Sequence, residues 1–223
     1  MKKIIEIIGK NVINFINAAG GIFQLLLQTI RFSFQRPLKL ERLFYQMEFI
    51  GVRSLFVVIL VSTFTGMVLA LQTYTGFKRF GAESVMGGII ALSLCRELGP
   101  VLTSIMVTAR AGSAMAAEIG AMKVTEQIDA LFVMAVNPVK YLIVPRVLAS
   151  VLVVPILTII SDYTGIVGGY FVGTKLLNVN EGVYISRTID ILELSDIYNG
   201  LLKSAIFGLL LSILGCYKGY YTQ

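Results

Sequence analysis

Hydrophobic positions in this chain form one amphipathic segment followed by a series of long apolar runs. Between residues 3 and 31 they repeat with a helical period. Lys3, Glu6, Lys10, Asn14, Asn17, Gln24, Gln28 and Arg31 fall on one side, and Ile4, Ile8, Val12, Phe15, Ile22 and Leu26 on the other. Asparagines at 11, 14 and 17 break any continuous apolar run, so the segment is expected to be neither a signal-peptide core nor a span. A helix lying in a membrane interface fits it, as does a helix packed on the protein's own bundle. An Arg36–Pro37 turn and a mixed stretch to Glu48 lead out of it.

Four apolar runs follow, each able to supply the ~20 residues that cross a hydrocarbon core. They lie within residues 54–77, 86–117, 144–174 and 197–217. Small residues recur every four positions at Gly165, Gly169 and Gly173, and again at Gly112, Ala116 and Gly120, which predicts close helix–helix approach in lipid. The expected fold is an all-α integral membrane protein: an N-terminal interfacial amphipathic helix plus four transmembrane helices. Residues 1–48 form the interfacial segment and 49–223 the membrane domain.

Charge sets the orientation. Lys2, Lys3, Lys10, Arg31, Arg36, Lys39, Arg42 and Arg53 precede the first run; Arg110, Lys123, Lys140 and Arg146 surround the second connection; Lys218 follows the fourth run. The first connection carries only Lys78 and Arg79, and the third sets Lys175 and Arg187 among Glu181, Asp190, Glu193 and Asp196. The positive-inside rule then places the N-terminus, the second connection and the C-terminus in the cytoplasm.

Composition narrows the function. The 223 residues are 56% hydrophobic and 14% charged, too apolar for a soluble surface. A net charge of +6 does not point to nucleic acid, because the basic residues follow topology and do not gather with aromatics on one face. Histidine is absent, which removes the usual proton shuttle and the commonest partner of a catalytic serine or cysteine. Cys95 and Cys216 lie in apolar runs without CxxC spacing and read as buried, inert thiols. The stretch Gly168–Lys175 has the glycines of a P-loop, but its threonine precedes its lysine and it lies at the end of an apolar run, so it binds no nucleotide.

Four charged positions deep inside the apolar runs remain to be explained, since each costs about 2.5–3.5 kcal/mol at a bilayer centre. Arg96 and Glu97 are adjacent, and Pro100 cannot donate to the Arg96 carbonyl, which predicts a kink there. Sequence neighbours do not share a helix face, so at least one of the two needs another partner. Lys203, one or two turns into the fourth run, lies at a depth to answer Glu97. An ion pair locking two helices and a polar patch for a phosphate headgroup are both consistent with this. Asp162, alone in the third run, has no assigned role.

Between the second and third runs, residues 122–134 form a short amphipathic stretch. Val124, Ile128, Leu131 and Phe132 make an apolar stripe flanked by Lys123, Glu126, Gln127 and Asp129. Spacing alone leaves two readings open, a helix seated in a partner's groove and a solvated surface helix.

The runs RELGP (96–100) and ARAGSAMAAEIGAMKVTEQIDAL (109–131), the NP of Asn137–Pro138, the PR of Pro145–Arg146, GIVGGYFVG (165–173) and LLKSAIFG (201–208) occur in one order across nearly the whole chain. In them the chain resembles the MlaE-type permeases of ABC phospholipid transporters. The resemblance implies a non-catalytic homodimeric permease in a cell inner membrane, working for outer-membrane lipid homeostasis. It would move phospholipid to or from a periplasmic MCE-domain protein, with no cofactor of its own and ATP bound by cytoplasmic ABC ATPase subunits. It also implies that Arg96, Glu97 and Lys203 line a lipid cavity. A coupling helix at about 120–134 would meet the ATPase, using Glu118, Val124, Glu126, Gln127, Ile128, Asp129 and Leu131. Glu118–Ile119–Gly120 also resembles, more loosely, the acidic–small loop of other ABC importers. The family usually has a fifth span after a connection that begins near Lys218; this chain stops at Gln223, so that span is expected either to have been cut off or to come from elsewhere. Two other classes stand beside this one. A permease for a small polar solute predicts a hydrophilic cavity, and an intramembrane enzyme or lone flippase would need catalytic groups or an ion relay that the runs do not supply.

Overall fold

The computed structural model describes residues 2–35 and 40–221, so the Arg36–Pro37 turn and Gln223 lie outside the described residues, as do the side chains of Ile4, Ile8 and the others before Gly9. Every regular element among the described residues is helical. In chain order they are α1 (Lys2–Ser33), α2 (Leu40–Phe80), α3 (Glu83–Val124), α4 (Gln127–Val133), α5 (Val139–Leu176), α6 (Glu181–Ile191) and α7 (Leu194–Tyr220).

The four long helices α2, α3, α5 and α7 contain the four apolar runs, and they pack through small residues. A Cβ on Gly66 of α2 would collide with the Gly165 carbonyl of α5, so only glycine permits this crossing. One turn away, the buried Ser62 and Ser161 hydroxyls are 2.6 Å apart, joining the same two helices by a hydrogen bond. Close backbone contact replaces the hydrophobic driving force that lipid cannot supply. On the other side, α7 lies against both α3 and α5.

Among the described residues, five helices are long and apolar enough to cross a membrane, one more than the sequence pattern indicates. The addition is the Val12–Ser33 part of α1, where Leu25–Leu27 and the alanines and glycines offset Asn14 and Asn17. Packing separates this helix from the others. Among the described residues, its buried side chains, Leu25 and Thr29 with the partly buried Ile22, Leu26 and Phe32, lie in its second half. They meet the start of α5 and the last turns of α7. The side-chain packing of α1, among the described residues, is with that one end of the bundle.

Three buried clusters run along the bundle. One joins α1, α4, the end of α3, the start of α5 and the end of α7; a second fills the middle; the third joins α2, the start of α3 and α6. The first end is the one rich in Lys and Arg, and the third is the one carrying the acidic connection.

Candidate functional site

Two ion pairs join α3 to α7 near their N-terminal ends. Lys203 Nζ lies 2.6 Å from Glu97 Oε1, and Arg96 Nε lies 3.2 Å from Asp196 Oδ1. The arrangement grows from local structure on both helices. On α3, residues Leu94–Leu98 form a π-turn closed by Gly99 N–H donating to Leu94 O, and Pro100 follows at once. Pro100 has no N–H for the Arg96 carbonyl. Lys203 Nζ donates to that carbonyl instead, at 3.1 Å, while it also binds Glu97. The helix irregularity expected at Pro100 is thus present as a π-turn, and the acceptor it strands is filled from α7.

On α7, Asp196 opens the helix. One carboxylate oxygen accepts the Glu193 N–H at 3.3 Å and the other takes Arg96. Residues 196, 200 and 203 fall on one helix face. Between the two charged positions, Gly200 lets α7 settle on the Cys95 carbonyl, which brings Lys203 within reach of Glu97. Asp196 is nearly enclosed, its side chain 9% exposed, whereas Glu97 and Lys203 stay 67% and 42% exposed. The Arg96–Asp196 pair therefore fastens helices. The Glu97–Lys203 pair fastens them too and also keeps an acid and a cation presented at the surface of the protomer. Asp196 was counted above only among loop charges; its position seven residues before Lys203, on the same face of one helix, is the signal that identifies it.

At the opposite end, the structure corrects the stripe on the coupling segment. Ile128 and Leu131 are 1% and 9% exposed, and they pack into the protein's own core with Val139, Leu142 and Ile143. The cause is the turn after α4. Ala135 takes a left-handed conformation (φ 57°), Val136 N–H donates to Leu131 O at 2.9 Å, and the Asn137 side chain caps Val139 N–H at 3.0 Å. The chain folds back and lays the Ile128–Leu131 ridge on the start of α5. What remains outward is Val124 and Phe132 from that stripe, joined by Val133 and Met134, with Val133 88% exposed. Around it, Lys123 pairs with Asp129 at 3.0 Å, Gln127 is exposed, and Glu126 starts α4 with a positive φ of 58°. Glu118, half exposed, lies 2.8 Å from Arg146, whose side chain is only 3% exposed and also donates to Leu142 O. Arg146 entered the sequence reading as a loop cation; its place just inside an apolar run, after Pro145, is the sign of a buried role.

Residues 43–223 match the family described as Permease MlaE. The chain belongs to the MlaE permease family. It is 45% identical over 219 residues to a probable ABC transporter permease protein of Rickettsia typhi, covering 98% of this chain and 85% of that one. It is 40% identical over 217 residues to the intermembrane phospholipid transport system permease protein MlaE of Haemophilus influenzae, covering 97% and 83%. A chloroplastic Arabidopsis thaliana protein, TRIGALACTOSYLDIACYLGLYCEROL 1, is 39% identical over 177 residues, covering 79% of this chain and 51% of its own length. For an MlaE-family permease, the two ends described here divide naturally: an acid–cation pair on the membrane-embedded seam, and an apolar group beside charged residues on the loop between α3 and α5.

Proposed function

We propose that this chain is the non-catalytic membrane subunit of a transporter that moves phospholipid between a membrane and a carrier protein. Its reacting energy comes from ATP hydrolysed by separate subunits docked on α4. The observation that carries the reading is the half-exposed Glu97–Lys203 pair, with Arg96 beside it, on helices otherwise apolar enough to lie in lipid. An exposed ion pair adds little to stability, whereas a headgroup needs charged groups it can reach. The chain works as a homodimer in a cell inner membrane, with ABC ATPase subunits on one side and an MCE-domain protein on the other. The name of the Haemophilus relative supports the substrate class. The cationic loop end of the bundle supports a cytoplasmic N-terminus and α4.

The test is the double change Glu97→Leu with Lys203→Leu. An ion pair this exposed contributes only about 0–1 kcal/mol to stability, so replacing both partners by leucine costs the fold little. The double mutant is therefore expected to keep its melting temperature and assembly but to carry less phospholipid per permease, measured by co-purification or photocrosslinking. Normal lipid capture by a well-folded double mutant refutes the headgroup role. Orientation is checked separately with single cysteines: Lys123→Cys should label only from the cytoplasmic side and Glu193→Cys only from outside, and the reverse labelling overturns the placement of α4.

A further inference from the structure

At the loop end of the bundle, the first turns of α2, the last turns of α3 and the first turns of α5 enclose a cleft of about 520 Å³. Its lining is unusually polar for a place where three apolar helices meet. Glu41, Arg42 and Gln46 come from α2, Glu118 from α3, and Tyr141 and Arg146 from α5. Two of these are enclosed and incompletely bonded. Gln46 is 8% exposed and its Oε1 has no hydrogen-bond partner; Arg146 uses one terminal nitrogen on Leu142 O and the other on Glu118, leaving Nε without one. Both atoms are enclosed in the wall of the cleft, an acceptor and a charged donor whose missing partners are supplied by a group that settles into it. The Arg42 guanidinium lies over the Tyr141 ring and donates to its hydroxyl, so the cation is held in place at the cleft wall.

The formal charges of the lining cancel, Arg42 and Arg146 against Glu41 and Glu118. A cleft of that balance is a poor trap for a simple anion and a good match for a group carrying both signs. We propose that it binds a phosphate–ammonium zwitterion, the headgroup chemistry of an ethanolamine phospholipid. Arg42 and Arg146 Nε donate to phosphate oxygens, while Gln46 Oε1 and Glu41 accept from the ammonium, which also lies beside tyrosine rings. Glu97 and Glu118 are 21 residues apart on α3, which at 1.5 Å per residue is roughly 30 Å, about one hydrocarbon thickness. The cleft and the Glu97–Lys203 pair thus stand at opposite headgroup levels, and the cleft is the site for a lipid of the leaflet next to α4. Only the lipid source of the headgroup rests on the phospholipid reading above; the zwitterion chemistry rests on the cleft.

The experiment titrates the delipidated full chain in detergent with dihexanoyl phosphatidylethanolamine, followed by native mass spectrometry. Dihexanoyl phosphatidylglycerol, O-phosphoethanolamine and inorganic phosphate serve as competitors. The Lys203→Leu variant should lose only the lipid held by the α3–α7 pair and keep one phosphatidylethanolamine per chain at the cleft with wild-type affinity. Phosphatidylethanolamine should bind Arg42→Leu/Gln46→Leu about tenfold or more weakly, the scale of one lost charge-assisted hydrogen bond. Glu41→Lys, which sets a cation where the ammonium lies at an exposed position, should weaken binding at least about tenfold with the melting temperature unchanged. Competition by O-phosphoethanolamine as strong as by the lipid upholds the chemistry and assigns a soluble source. Equal binding of phosphatidylglycerol, equal competition by inorganic phosphate, or wild-type affinity in Glu41→Lys overturns the proposal. So does loss of all binding in Lys203→Leu, which would leave only the α3–α7 pair as a site. Cleft binding that persists while the Glu97/Lys203 double mutant captures normal lipid upholds this site and refutes the headgroup role of that pair instead.

Discussion

Aspartate at Val133 and aspartate at Leu131 should have opposite consequences, although the two residues are separated by one position on the same seven-residue helix. Val133 is 88% exposed, so a charge there meets water in the isolated permease and should change its stability by within about 0.5 kcal/mol. If Val133 is covered by an ATPase groove, the complex loses the burial of a valine side chain, about 1.5–3 kcal/mol. That loss corresponds to roughly a 10- to 150-fold weaker Kd, before the cost of an unpaired charge in the contact. Leu131 is packed with Ile128 against Val139 and Leu142. Removing a buried leucine costs about 2–5 kcal/mol, and the added carboxylate must then be buried or must open the core. Against a typical total of about 5–15 kcal/mol, Leu131→Asp should lower the permease's own melting temperature or prevent its accumulation. The assay pairs thermal unfolding of the isolated permease with co-purification of the ATPase. Full complex formation by Val133→Asp refutes docking through this surface, and a wild-type melting temperature for Leu131→Asp refutes the packing of α4 on α5.

The Glu118–Arg146 pair should respond asymmetrically: Glu118→Leu strands a buried guanidinium and should cost about 3–5 kcal/mol, whereas Arg146→Met leaves a half-exposed carboxylate that water can reach and should cost less. Unfolding both variants in the same detergent checks this, and a larger loss for Arg146→Met contradicts it. Tyr184 on α6 is 2% exposed, its hydroxyl has no partner, and burial pushes that hydroxyl up to about 12, so it stays neutral at any physiological pH. Tyr184→Phe should therefore be neutral or stabilising by up to about 1–3 kcal/mol, with no change in pH dependence below pH 10, and a clear drop in melting temperature would show that the hydroxyl is bonded.

The four long apolar helices, the small-residue crossings and the charge asymmetry of the two ends were all written in the chain, because membrane insertion depends on local hydropathy and helix geometry alone. The isolation of Arg96, Glu97 and Lys203 inside apolar runs was equally plain, and adjacency on a helix already required separate partners for the first two. Which partners they took depended on how α7 sits on α3. Gly200 settled on the Cys95 carbonyl and the Asp196 cap turned toward Arg96, neither of which a linear pattern specifies. The α4 stripe shows the limit most clearly. Amphipathicity states that Ile128 and Leu131 will be covered, but burial energy is the same whether the cover is another subunit or the chain's own α5. Only the turn at Ala135 and Asn137, which returns the chain onto that ridge, decided it. The same folding-back placed Glu118, Arg146, Gln46 and Arg42, distant in sequence, around one polar cleft. Periodicity reports which side of a helix is apolar; only the tertiary structure, through backbone contacts that link residues a hundred positions apart, decides what that side meets.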